Sequence, residues 1–507
     1  MFWGCIMKKI KNIFKNYHPS KKMMFLYFNI PLLLVLTWNV DYNDIWFLLN
    51  HGRYILNNGF PTIEPFTIHQ DFAFIVQQWL SSLLFYLSYS LLGKYGLLIL
   101  TLLVTGYIIF ISYKLCMLLS DNRYSLSIII TTVMTSLLAY FFMTSRPHIF
   151  TFTIIITQMY LLEKYIKENN KKYLYFLPLL SLLEINLHAS MFFMLFAFLL
   201  PYLIDSFRYK TPFLKSDGYL KKPLFITAIC MLLTGLINPY GIDAITYIFR
   251  SYGNVYINQS IAEMIPLSIA HSLGKQILVI IFIIICIYIF YRKSEIKPRY
   301  FYLLIGTIYL TLSSYKGQAY LIIGGVLPLA YYLKPSFKKN KDKEKIKRSK
   351  YIFNSSFIAV TILLVIIGTN SFVFTDKYKE GIDYLLDNNK REDITLYTGY
   401  AEGSYPEWMG IKCYIDPRAE VFLKENNKKE DIIEEYYLLQ HGKIDVSKFL
   451  EKYKFSHLLV PLDDYLYDNM DDIDNYKIVY ENTSINEYSL KKYDDIKMKY
   501  RIYQRIS

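Results

Sequence analysis

Apolar residues gather into long runs separated by short polar or basic segments. Runs long enough to cross a bilayer cover 23–40, 95–118, 125–144, 147–163, 173–187, 188–206, 223–238, 275–291, 299–314, 317–333 and 351–373, which predicts about eleven spanning helices. Another run, Gln77 to Leu92, holds about 16 residues, short of the roughly 20 that a perpendicular crossing needs. One extra crossing there would invert every later loop, so the basic blocks decide. If the run does not cross, Lys164, Lys167, Lys171 and Lys172 fall inside, with Arg208, Lys210, Lys215, Lys221 and Lys222, then Arg292, Lys293, Lys297 and Arg299, and finally the stretch from Lys334 to Lys350. If it crosses, all four blocks fall outside, against the positive-inside rule. The run is therefore expected to be a re-entrant or interfacial helix.

This parity divides the chain into a cytoplasmic basic N-terminus (1–22), a membrane core (23–333), a cytoplasmic basic linker (334–350), a last span (351–373) and an extracytoplasmic domain (376–507). The first apolar run lacks a small-residue cleavage site and is expected to be an uncleaved signal anchor. The outer loop 41–76 opens with an amphipathic segment in which Ile45, Leu48, Leu49, Ile55 and Leu56 share a stripe and Asn50, His51 and Arg53 lie off it; a helix in the outer interface is expected. In the last domain, short β-like runs (394–397, 411–415, 457–460, 477–480) alternate with helix-like 430–440 and 446–454, predicting a small α/β unit. The fold class expected is thus an α-helical polytopic membrane protein with a small C-terminal α/β soluble domain.

Composition agrees. Hydrophobic residues make up 53% of the 507, and the net charge of +14 sits in the blocks between spans and not in a groove with interleaved aromatics, so no nucleic-acid partner is expected. Cys5, Cys116, Cys230, Cys286 and Cys413 are scattered without metal-ligand spacing or a disulfide framework. No phosphate-binding Gly-Lys loop, HExxH, paired CxxC or GxSxG occurs, which removes support for a nucleotide-driven pump, a zinc hydrolase or a serine-esterase elbow.

With topology assigned, the outer ends of the helices hold Asp41, Asp44, His51, Glu64, His69, Arg146, His148, Asn186, His188, Asn238, Tyr240 and Glu263. Carboxylates, imidazoles and a guanidinium on one face can serve acid/base work and phosphate contact. Each has a plainer role: Asp44 could cap its helix, Arg146-Pro147 could mark a helix boundary, His148 and His188 could be interior histidines, and Asn238 in NPYG could form a turn.

At these residues the chain resembles a bacterial family of GT-C-type membrane glycosyltransferase-like proteins. The resemblance runs through Asp44-Ile-Trp-Phe, Gly52-Arg-Tyr-Ile, Gly59-Phe-Pro-Thr-Ile-Glu-Pro-Phe-Thr, Gln78-Trp-Leu, Arg146-Pro-His, Asn186-Leu-His, Asn238-Pro-Tyr-Gly, Glu263 and Tyr414-Ile-Asp-Pro-Arg-Ala-Glu420. It implies transfer of a sugar from a polyprenyl-phosphate carrier in the membrane lipid to an acceptor on the outer face. Asp44, then Asp41, would supply the acidic role as base or as ligand to a divalent cation. Arg146 and His148 would meet the carrier phosphate, and His188, Glu64 and Glu263 complete the expected substrate-binding set. The chain departs from the family's usual pattern at Leu48 (commonly His), Glu64 (commonly Asp) and Gln78 (commonly Glu). The departures at Leu48 and Gln78 favour the alternative reading, a non-enzymatic envelope- or polysaccharide-assembly protein on the same fold; a lipid-linked-sugar transporter is the third.

Overall fold

A computed structural model describes residues 42–207, 213–251, 254–260, 296–336, 376–470, 473–482 and 499–506, with isolated residues between 211 and 285. The N-terminal run 1–41, most of 275–291 and the segment 337–375 lie outside the described residues, as do Asp41 and Glu263.

The apolar runs are helices: Lys94–Leu119, Tyr124–Phe142, His148–Glu168, Phe176–Leu187, Phe192–Asp205, Lys221–Thr234 and Pro298–Ser313. Lys94–Leu119 and His148–Glu168 are long and apolar enough to cross a membrane by themselves. The last described run, expected as one helix over 317–333, is broken into Gln318–Leu321, a π-helical turn Ile322–Val326 and Leu329–Tyr332, with Pro328 between the last two. The short run forms a helix of 14 residues, Trp79–Leu92, about 21 Å long at 1.5 Å per residue, against roughly 30 Å of bilayer hydrocarbon.

The helices alternate in direction, and contacts between their ends gather the basic blocks at one end of the bundle. Lys167 and Lys334 share Asp121, and Tyr165 bonds the Leu220 carbonyl. Arg299, expected in an inside basic block, is buried: it pairs with Glu163 at 2.9 Å and with Asp205 and Asp217 at 2.7 Å, while Lys297 pairs with Asp217 at 2.6 Å. Three carboxylates brought to one guanidinium make the buried charge tolerable. The opposite ends of these helices carry Arg146, His148, His188 and Lys316.

The C-terminal unit is a five-stranded mixed sheet ordered β2-β1-β3-β5-β4, with β1 Thr395–Tyr397, β2 Lys412–Cys413, β3 His457–Pro461, β4 Tyr476–Asn482 and β5 Tyr500–Arg505. β1 pairs in parallel with β2 and β3, and β5 runs antiparallel to both β3 and β4. The predicted strands and the helices Ile432–Gln440 and Val446–Tyr453 are present. β5 and the helix Lys379–Asn388 are additional. The outer loop is stitched to the β2 edge: Thr67 bridges Cys413 in parallel, the Ile68 N–H donates to the Cys413 carbonyl and the Ala73 N–H to the Asn427 carbonyl. Phe72, Phe74 and Val76 enter the core of the α/β unit, which satisfies a strand edge that would otherwise stand open.

The helix Tyr42–Asn58 corrects one expectation. Ile45, Leu48 and Leu49 are buried as the stripe predicts, but Asn50 and His51, expected on the wet face, are 2% exposed. The polar face docks the C-terminal unit: Asn50 donates to the Glu407 carbonyl, and Arg53 donates to the Trp408 carbonyl with its guanidinium 4.0 Å from the Trp408 ring centre. The other side approaches Trp79–Leu92 so closely that a Cβ at Gly52 would stand 2.3 Å from the Ser82 carbonyl oxygen, so only glycine fits.

Candidate functional site

Asp44 sits in the first turn of Tyr42–Asn58, where a carboxylate is favoured by the helix dipole. Arg146 lies in the turn between Tyr124–Phe142 and the next helix, with Pro147 at that helix's N-cap and His148 as its first residue. The boundary reading of Arg146-Pro147 therefore holds, and Arg146 does more: its Nε stands 3.0 Å from Asp44 Oδ2, with both side chains about a quarter or less exposed. His188 ends Phe176–Leu187 and shares a 2.9 Å hydrogen bond with Thr151, whose hydroxyl lies 2.6 Å from Glu184 Oε1. His148 bonds the Phe142 carbonyl through Nε2.

These four expected residues line one cavity of about 470 Å³, together with Gln77, Gln78, Lys316, Tyr400, Arg418 and Glu420. Sequence-distant helix ends form one wall and the α/β unit the other. Gln77 donates to Glu420 Oε1 at 3.2 Å. Burial pushes the Glu420 carboxyl above the usual range, partly opposed by Arg418 and Lys316. The partly buried Tyr400 hydroxyl is pushed up by desolvation and then by the charges of Glu420 and Asp44, so both carboxylates act on one space. The cavity therefore offers two carboxylates among the cations Arg146, Lys316 and Arg418.

Behind it lies a buried charge cluster. Arg418 donates through Nε to Asp416 at 2.8 Å, through Nη2 to Glu64 at 3.0 Å, to Glu407 at 3.3 Å and to Asp416, and through Nη1 to His51 Nε2 at 3.2 Å. Phe66 and Phe74 face the guanidinium. Desolvation, then the Asp416 carboxylate, pushes Glu407 well up. Burial first and Arg418 second push His51 well down, so it accepts as a neutral ring. Glu64, expected to bind substrate, does not line the cavity. Its carboxylate is consumed by Arg418, by the Phe66 and Thr67 N–H groups and by the Thr67 hydroxyl. His69 likewise bonds the Tyr414 carbonyl within an aromatic cluster. Asn238 forms the expected turn, accepting from the Tyr240 N–H and donating to the Gly235 and Gly241 carbonyls.

Leu48 is fully buried in the core and outside the cavity lining, so the departure there takes no group from the site. Gln78 does line it. Among the described residues no three His, Cys, Asp or Glu side chains form a metal-ligand group, and Asp44 already faces a guanidinium. Sequence reasoning missed Lys316, Tyr400, Arg418 and Glu420 as cavity residues. A signal for Lys316 existed: by parity it stands in the short outer turn between the runs 299–314 and 317–333, away from the inside basic blocks.

No family model and no curated relative matches the chain. Solved structures do. Arabinofuranosyltransferase AftD from mycobacteria superposes with a TM-score of 0.52 at 10% identity, over 96% of this chain and 42% of its own. ArnT from Cupriavidus metallidurans, bound to undecaprenyl phosphate, superposes with a TM-score of 0.53 at 10% identity, over 96% of this chain and 99% of its own. The chain has the GT-C fold. It spans less than half the length of AftD but nearly all of ArnT. The described residues are mostly helical with a small sheet, as the apolar runs and the alternating C-terminal segment implied.

Proposed function

We propose that the chain transfers a sugar from a polyprenyl-phosphate carrier to an acceptor on the extracytoplasmic face. The observation that carries this reading is the convergence of Asp44, Arg146, His148, His188 and Lys316 on one cavity at the ends of apolar helices. There a lipid tail can stay in the membrane while its phosphate meets cations. Arg146 and Lys316 hold the carrier phosphate, with His148 and His188 beside it. Asp44 accepts the acceptor's hydroxyl proton as that oxygen bonds to the anomeric carbon. The bond from that carbon to the phosphate oxygen breaks, and the departing phosphate keeps the electron pair, its charge offset by the two cations. Arg146 holds Asp44 before the carrier arrives, and its shift to the phosphate frees the carboxylate for base catalysis.

Arg146→Ala is expected to lower kcat/KM for the lipid-linked donor by about tenfold to a hundredfold, the range for a lost charge-assisted contact. Arg146→Lys recovers part of this only where point charge outweighs the bidentate fork. Steady-state transfer from the membrane lipid pool checks it, and unchanged donor use in Arg146→Ala would remove the phosphate role.

In the membrane, eleven spans with Trp79–Leu92 as a non-crossing helix leave the N-terminus and the 334–350 linker inside and the α/β domain outside. Gathering of the basic blocks at the end opposite the cavity supports this orientation. In a background without native cysteines, a cysteine at Glu430 is expected to react with an impermeant maleimide on intact cells, and one at Lys341 only after lysis. The reverse pattern makes 79–92 a true span.

A further inference from the structure

A second recess, of about 240 Å³, lies where Tyr42–Asn58, the outer loop and the α/β unit meet. Asn50, Arg53, Tyr54, Asn57, Phe66 and Lys412 line it. Its chemistry is basic. Arg53 donates through Nη2 to Asn50 Oδ1 at 2.7 Å and to the Trp408 carbonyl at 2.8 Å, and the Trp408 ring fixes the plane of the fork. Arg391 stands behind the wall without lining the recess: Gly410 in that wall has φ +87°, and a Cβ there would meet Arg391 Cδ at 2.9 Å and Nε at 3.3 Å, so this side chain packs against the wall residue. Desolvation lowers the Arg53 guanidinium from its ordinary value, and repulsion from Arg391 adds to it, placing the two cations within each other's field. Glu407, the one carboxyl in the lining, is pushed up by burial and has its Oε2 3.3 Å from the Arg418 guanidinium.

We propose that this recess binds an oxyanion, a phosphate or carboxylate group, through Arg53 and Lys412, with Arg391 adding positive charge from behind Gly410. A guanidinium fork and an ammonium in a small polar recess match the geometry and charge of such a group, and the amides of Asn50 and Asn57 supply further donors. Arg53 follows Asp44 by about nine residues, roughly 13 Å along the same helix. An anionic acceptor anchored in the recess could place a sugar hydroxyl in the cavity a short oligosaccharide away. Glu407, which lines the recess, pairs at 3.3 Å with Arg418, which lines the cavity. The acceptor role rests on the transferase reading; oxyanion binding does not.

The test uses the purified full chain and inorganic phosphate, with affinity taken from phosphate-dependent thermal protection. Arg146→Gln/Lys316→Gln first removes the cavity's own phosphate ligands, and this protein is expected to keep a phosphate site. Adding Arg391→Gln/Lys412→Gln, both at exposed positions, is expected to weaken that site at least about tenfold. Arg53→Gln is the stronger variant, read only where it unfolds at the parent's temperature, because Arg53 also docks the α/β unit. Repeating the titration in nanodiscs separates the sources: competition by anionic over neutral phospholipid assigns the recess to a lipid headgroup, and indifference assigns it to a soluble anion. Phosphate binding that vanishes with the cavity cations alone, or that survives Arg391→Gln/Lys412→Gln unchanged, overturns the proposal. Neither result depends on sugar transfer being detected.

Discussion

Asp44→Asn is expected to lower sugar transfer by about 100-fold to 10,000-fold, the usual cost of losing a general base, while expression, membrane insertion and thermal unfolding stay near those of the parent. The substitution discriminates because Asn caps a helix about as well as Asp and keeps its shape. A carboxylate acting only as cap or dipole partner is thus replaced with little loss. The ion pair with Arg146, 3.0 Å away and about a quarter exposed, contributes little stability at such a site, so its loss does not mimic the catalytic effect. Transfer of radiolabelled sugar from the membrane lipid pool, at saturating acceptor, is the measurement. Asp41→Asn is the paired control, since Asp41 lies just outside the described residues and is the second candidate for the same role. Full activity in the Asp44→Asn/Asp41→Asn protein would sink the base assignment. It would move the proton to Glu420, whose raised carboxyl faces the same cavity, whereas absence of transfer by the parent itself would favour the assembly-protein reading.

Much of this site was legible because a membrane chain writes topology into its sequence. Apolar runs of spanning length and basic blocks of one orientation place Asp44, Arg146, His148 and His188 at one end of the bundle, and the structure brings these four to one cavity. What pairs with what was not legible. Arg418 and Glu64 are 354 positions apart, and nothing in either neighbourhood announces that one neutralises the other. Glu64 therefore looked like a substrate ligand when it is a brace. The polar residues Asn50 and His51 were assigned to water by helical periodicity, which cannot distinguish a wet face from one covered by another unit. The burial of Arg299 was not legible either, its partners Glu163, Asp205 and Asp217 lying in other segments. β5 was missed because its six residues, alternating Tyr500 and Ile502 with Arg501, carry a weak period and pair with strands that precede them by some tens of positions.

The second large effect is structural and follows from those long-range pairings. Arg418→Met is expected to destabilise the docked α/β unit by about 3–5 kcal/mol, the cost of leaving buried partners without their counter-charge. The guanidinium is 2% exposed, and the side chains of Glu64, Asp416 and Glu407 it serves are at 0%. Arg418→Lys should recover little, because one ammonium cannot reach the several acceptors that the planar fork meets from one position. The measurement is thermal unfolding of the detergent-solubilised chain, with limited proteolysis around residue 376 to report release of the unit. A compensating variant separates charge from packing. Adding Glu64→Gln and Asp416→Asn to Arg418→Met removes the carboxylates that the first change strands, and with Glu407 already held towards its neutral form this protein should regain much of the lost stability. If Arg418→Met unfolds at the parent's temperature, the cluster does not hold the unit in place. If the compensated protein is no more stable than Arg418→Met, the loss comes from packing against Phe66 and Phe74 and not from stranded charge. Because Arg418 also lines the cavity, the compensated protein gives a further reading. Restored stability with sugar transfer still low would mean that the guanidinium acts on the bound carrier, whereas activity that returns with stability would confine Arg418 to holding the α/β wall of the site against the helix ends.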